Sequence, residues 1–187
     1  MSKKAIFSLT IIVLWLLAVA ITPLLDLQPN VIHLEKILLS SDNQSLLGYD
    51  DLGRKLFDRL LIGAQTSFIV AFGVIFVSLL IGTTIGVISG YIGGGWDHFL
   101  VRMIDVFLAF PGILLAIALS GLMGPGIFNV IIALSIVGWV GYARLSRAQV
   151  MAIKQREHVL SARALGASHA RIIVWHILPL IIAPLLI

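Results

Sequence analysis

Cysteine is absent from this chain and charge is scarce, with Asp, Glu, Lys and Arg making up 12% of its 187 residues. Without thiols there is no disulfide framework, no thiolate metal site and no cysteine nucleophile, although that absence does not identify a compartment. A phosphate-cradling G-x-x-x-x-G-K-S/T loop is also missing. Gly93-Gly94-Gly95 has neither the spacing nor the strand-to-helix setting of a nucleotide fingerprint, so this chain is expected to bind no cofactor of its own. His33, His98, His158, His169 and His176 include no H-E-x-x-H pair and are expected to be solvated or interfacial, with no metal site among them. The neighbouring carboxylates Asp50 and Asp51 diverge rather than converge on one substrate atom. Helix capping suits them better, since Asp51 precedes the helical pattern Leu56, Leu60, Leu61. No catalytic residue is expected.

What fills the sequence instead is apolar: 59% of the residues are hydrophobic and the mean hydropathy is +1.07, far from the balance of a soluble domain. The sequence pI of about 9.8 could point to nucleic acid, but basic residues collect on the cytoplasmic side of membrane proteins, and that reading accounts for it. A helix needs about 20 apolar residues to cross the hydrocarbon core. Residues 5–25 and 67–90 meet this length. Residues 106–123 reach it by borrowing the turn at 102–105, and 127–143 follow. Gly124-Pro125-Gly126 makes a poor helix interior and a good tight turn, so the third and fourth spans are expected to form an antiparallel hairpin. From Ile177 the chain turns apolar again for about half a crossing. The expected fold is therefore all-α, a polytopic helical membrane protein with four full spans and the start of a fifth.

Basic residues set the orientation. With the N-terminus cytoplasmic, Lys3, Lys4, Arg102, Arg144, Arg147, Lys154, Arg156, Arg163 and Arg171 lie inside, and only Lys36, Arg54, Lys55 and Arg59 lie outside. The chain then divides into an N-terminus and first span (1–25), an extracytoplasmic segment (26–66) and a membrane core (67–187) with a cytoplasmic loop at 144–176. Lys3 and Lys4 followed by an apolar run and Ala18-Val19-Ala20 also resemble a cleavable signal peptide. The run continues through residues 21–25 without a polar change, so a retained span is expected.

Polar groups inside the spans are few. Asp105 is expected to pair with Arg102, three residues earlier on the same helix face. No chain of buried Asp, Glu or His is present to relay protons, which counts against a proton-driven secondary transporter. Gly82, Gly86 and Gly90, at four-residue spacing, form a smooth strip for close helix packing, within the chain or against a second subunit. Pro111 removes a backbone donor and is expected to kink the third span.

Residues 157–179 are basic and helix-prone between apolar stretches. Helix is expected from Gln155 to Leu165, ended by Gly166 in a left-handed conformation, with Ser168 capping a second helix along the membrane surface and Pro179 at the start of the next span. Val159, Ala162 and Leu165 form a short apolar face that suits a groove on another protein better than adsorption to lipid.

At these residues a family resemblance becomes specific. Glu157-x4-Ala162-x3-Gly166, then Ile172, Ile173 and His176-Ile177-Leu178-Pro179, resembles the EAA loop of permease subunits of bacterial binding-protein-dependent ABC importers. Leu47-Gly48-Tyr49-Asp50-Asp51-Leu52-Gly53-Arg54, Gly90-Tyr91-Ile92-Gly93-Gly94, Arg102-x2-Asp105, Phe110-Pro111, Asn129-Val130-Ile131-Ile132-Ala133-Leu134 and Trp139-x2-Tyr142-Ala143-Arg144 agree with it. Together these blocks resemble the C-type permease of dipeptide, oligopeptide and nickel importers, over residues from about 5 to the end. The resemblance implies a type I importer permease in the bacterial inner membrane. It would be no enzyme, but the partner of a second permease, of an extracytoplasmic substrate-binding protein and of cytoplasmic ATPase subunits that use the ATP. It also implies that Glu157, Val159, Ser161, Ala162, Leu165 and Gly166 form the ATPase-coupling set, with Ser161 standing where the family often has another small residue. Family members usually have six spans, so this chain is expected to be cut short within the fifth. A truncated fragment, nonfunctional or regulatory, and a secondary transporter are the alternative readings.

Overall fold

The computed structural model describes residues 3–43 and 45–186, with the side chains of residues 3–5, and so those of Lys3 and Lys4, outside the description. Its elements are α1 (Lys3–Ile21), α2 (Leu56–Ile92), α3 (Gly94–Leu108), α4 (Gly112–Met123), α5 (Ile127–Ile153), α6 (Glu157–Ala164), α7 (His169–Arg171) and α8 (Leu178–Leu185). Two short 3-10 turns lie at Thr22–Leu24 and Leu34–Lys36, and a π-helical stretch runs through Ile172–Ile177. The described residues contain no β-strand, only isolated bridges. The chain forms two compact units, Met1–Ala71 and Phe72–Ile187.

In the first unit α1 exposes apolar side chains on every face, and the hydroxyls of Thr10 within it and Thr22 just beyond it donate to the carbonyls of Ile6 and Ala18. The polar segment that follows is tied by charges. Asp50 accepts from the backbone N–H groups of Leu52 and Arg54, each at 2.9 Å, from Arg54 Nε at 2.7 Å and from Arg59. Burial pushes the Asp50 carboxyl up, but these backbone and side-chain donors outweigh it and hold the group well below the usual carboxylate range. The expected cap is thus displaced. Asp50 closes the turn ahead of α2, while the exposed Asp51 lies 3.6 Å from Arg54. Gly53, at φ +71°, is required here because a Cβ would run into the backbone carbonyl of His33. Tyr49 is buried, its hydroxyl donating to Asp42 and accepting from Lys36 at 3.1 Å.

The second unit has two apolar centres. One joins Val87 and Tyr91 of α2, Val150 and Ile153 of α5 and Val159 of α6 to Ile172, Ile177, Ile181 and Leu185. The other packs Leu100 and Ile104 of α3 on Trp139, Val140 and Ala143 of α5, with the Phe107 and Trp139 rings edge to face at 5.4 Å. Elsewhere the helices leave large side chains uncovered, such as Phe72, Phe76, Ile113 and Phe128. Apolar exposure on this scale belongs to a surface that faces lipid or other helices.

Among the described residues, three helical stretches are long and apolar enough to cross a membrane: Ile6–Leu24, Leu56–Ile92 and Ile127–Ile153. The third expected span differs from its reading. Pro111 ends one helix and starts another, and α3 and α4 meet at 83°, so the expected kink is a break. Proline has no N–H to give and drives the residue before it out of the helical region, so Phe110 cannot carry α3 onward. The hairpin after α4 is present. Gly124 and Gly126 turn the chain with positive φ, and Asn129 Nδ2 closes it by donating to the carbonyls of Met123 and Gly124.

After α7 the backbone continues to α8 without interruption, giving one apolar helical run His169–Leu185 rather than a surface helix and a separate span. Pro179 explains the π stretch. It brings no N–H to the helix, and the register loosens just before it, where the Leu178 N–H bonds the Ile173 carbonyl five residues back.

Candidate coupling site

Glu157 opens α6 and places a negative charge in its first turn, where the helix dipole favours it. The helix ends as its composition demands. Gly166 takes φ +83°, its N–H donates to the Arg163 carbonyl and the Ala167 N–H to the Ala162 carbonyl, both at 3.0 Å. These two bonds make the Schellman closure that satisfies the last carbonyls of a helix. Ser168 then caps α7 by accepting the Arg171 N–H.

The faces of α6 fall differently from the expected apolar patch. Val159 is fully buried against Ile172 and Ile177, and Ala162 is half-buried beside it, so this pair seats the helix on its own chain and Val159 is unavailable to a partner. Leu165 is 88% exposed and keeps its surface position. The solvent face is Glu157, Leu160, Ser161 and Ala164, the i, i+3, i+4, i+7 row of one helix side. Leu160 and Ala164 were missed from sequence, although that spacing from Glu157 was the signal for them.

The element is fixed to the helices below it by polar groups. Tyr91, at the end of α2, has its hydroxyl 2.9 Å from His169 Nδ1 and accepts a long bond from Arg163 at 3.4 Å. Lys154 Nζ donates to the Gly90 carbonyl at 2.7 Å. Beside them Arg147 makes a two-pronged pair with Asp97, Nη2 to Oδ2 at 2.7 Å, and Ser89 donates to the same carboxylate. Among the described residues no ion pair joins Arg102 to Asp105. Arg147 takes the acid of the preceding turns instead, and nothing local could announce a pair fifty residues apart. His176 lies near His158, with ring centres 6.3 Å apart.

Gly82, Gly86 and Gly90 face α5. A Cβ at Gly82 would strike the Trp139 carbonyl, one at Gly86 the Ala143 carbonyl and the Ser146 hydroxyl, and one at Gly90 would come 2.9 Å from the Arg147 carbonyl. Backbone meets backbone along this seam, and α6–α7 packs against both helices through Tyr91, Val87, Val150 and Ile153.

The fold and site define a helical integral membrane protein in which the α6–α7 pair is tied to the long helices α2 and α5. Residues 82–187 match the family described as the binding-protein-dependent transport system inner membrane component. Over its whole length the chain is 36% identical to the probable D,D-dipeptide transport system permease protein DdpC of Escherichia coli K12, covering 63% of that protein. It is 37% identical to the dipeptide transport system permease protein DppC of Alkalihalophilus pseudofirmus and to the nickel transport system permease protein NikC of Escherichia coli K12, covering 62% and 69% of them. The chain belongs to this family of transport permeases, and it spans a little under two thirds of the length of the first two of these relatives.

Proposed function

We propose that the chain serves as a permease subunit of a bacterial ATP-driven importer for peptides or nickel, the cargoes named for its relatives. It carries out no covalent chemistry. It pairs with a second permease, receives cargo from an extracytoplasmic binding protein over residues 26–66, and meets cytoplasmic ATPase subunits that hydrolyse the ATP. In this reading the N-terminus is cytoplasmic, the bent α3–α4 pair counts as a fourth crossing, and Leu178–Leu185 begins a fifth, within a core of residues 67–187 whose cytoplasmic loop is 144–176. The positive-inside bias supports that orientation, since Arg144, Arg147, Lys154, Arg156, Arg163 and Arg171 all follow the apolar part of α5.

One observation carries the coupling role: α6 is locked on its inner side by Val159 and left open on its outer side along Glu157, Leu160, Ser161 and Ala164, with Leu165 beyond. A push on that outer face passes through Tyr91 and the glycine seam to α2 and α5 with little to absorb it. Glu157 engages a donor on the ATPase, Leu160 and Leu165 supply apolar contact, and Gly166 permits the turn. In the assembled importer, Glu157→Ala removes one member of a charge pair worth about 2 to 5 kcal/mol. Gly166→Val forces a β-branched residue to positive φ at a cost of about 1 to 3 kcal/mol. Both are expected to lower cargo uptake while ATP hydrolysis by the partner persists. Unchanged uptake and unchanged substrate-stimulated hydrolysis in both variants would overturn the assignment.

A further inference from the structure

A cavity of about 690 Å³ opens between the end of α2 and the α6–α7 pair, sharing Leu160 with the proposed coupling face and Tyr91, Arg163 and His169 with the polar anchor. Its volume lies in the range of small-molecule sites, roughly 300 to 1,000 Å³. Lys154, Arg163 and His169 line it together with Ile92, Leu160 and Ile173, and no lining residue is acidic. The basic groups hold donors in reserve. Lys154 directs one of its three N–H bonds to the Gly90 carbonyl, and Arg163 turns one edge of its guanidinium towards Tyr91. Both cations therefore keep donors free on the cavity lining.

We infer that this cavity binds the phosphate of an anionic phospholipid headgroup, with phosphatidylglycerol as the representative ligand. Three features favour a lipid over free phosphate. The lining also carries exposed aliphatic side chains, Ile92 at 61% and Leu160 at 45%, which suit a glycerol backbone and the first acyl carbons rather than a hydrated ion. The cavity sits where the long apolar helix α2 ends. Trp96 and Trp175, at 67% and 74% exposure, lie on the segments next to it, as aromatic side chains do at the headgroup level. Basic pockets at the ends of membrane helices take anionic headgroups for this electrostatic reason. The inference needs the basic end of the bundle to lie at a membrane surface. It does not need α6 to dock on an ATPase, so either reading can fail without the other.

The test measures binding of dioctanoyl phosphatidylglycerol, dioctanoyl phosphatidylcholine and inorganic phosphate to the whole chain purified in a neutral detergent. Phosphatidylglycerol is expected to bind about tenfold more tightly than the other two, and the double variant Lys154→Gln, Arg163→Gln is expected to abolish the preference. In parallel, a photoactivatable phosphatidylglycerol is expected to label peptides containing Ile92, Leu160 or Ile173 in the unmodified chain, which decides the location even if the double variant loses its helical circular dichroism. Equal affinity for the two lipids overturns the proposal. Inorganic phosphate binding as tightly as phosphatidylglycerol makes this a free-anion site and overturns it too, as does labelling confined to other peptides.

Discussion

The segment between α1 and α2 and the α6–α7 pair after α5 are held by different forces. Between α1 and α2 the backbone is irregular, and its fixed points are charges and hydrogen bonds: Asp50 with Arg54 and Arg59, Tyr49 with Asp42 and Lys36, and Asp58 accepting the Gln28 N–H at 3.0 Å. After α5 the helix pair α6–α7 is fixed by apolar packing, with Val159, Ile172 and Ile177 fully buried and Tyr91 adding a polar latch. A segment tied by charges responds to pH, because its ties depend on ionised groups. A segment seated on buried side chains responds to volume and polarity instead, and transmits force because a packed core yields little. The second is the construction a coupling element needs.

The largest effect should come from charging the seat. Val159→Asp buries an unpaired carboxylate and is expected to cost about 3 to 5 kcal/mol, seen as rapid amide exchange throughout residues 157–171 while α1 and its neighbours stay protected. Retained protection there would mean that α6 is not held by its inner face. Next, Tyr91→Phe removes the hydroxyl shared by His169 and Arg163 and should cost about 1 kcal/mol, loosening α7 more than α6 in the same measurement. The smallest effect belongs to the charge-tied segment. The folded state lowers the Asp50 pKa from its ordinary 3.8, so its contribution is complete above that value and is lost as pH falls below it. On acidification below about pH 4, the amides of Leu52 and Arg54 should lose protection relative to the α6 amides, and Asp50→Asn should remove that pH dependence. Equal acid sensitivity in the two segments would erase the contrast between them.

Local chemistry was legible in the linear chain. Apolar length marks the helices of a membrane protein. Gly166 and Ser168 mark where α6 stops and α7 starts, because a left-handed backbone favours glycine and a helix start favours a short acceptor side chain. The spacing of Gly82, Gly86 and Gly90 marks a close approach, though not that its partner is α5. Tertiary structure decided the rest, since it depends on which groups meet across long sequence separations. Both Val159 and Leu160 are aliphatic and adjacent, and only the positions of Ile172 and Ile177 determine that the first is buried and the second left exposed. Likewise a proline foretells a disturbed helix, but packing of α3 and α4 against α5 sets the bend at 83°. Arg147 could have paired with any acid at its end of the membrane, and the close seam between α2 and α5 brings it to Asp97. Caps and turns are settled within a few residues, where each side chain finds its own backbone. Faces, bends and long-range pairs are settled by the burial of surfaces that exist only once the helices have assembled.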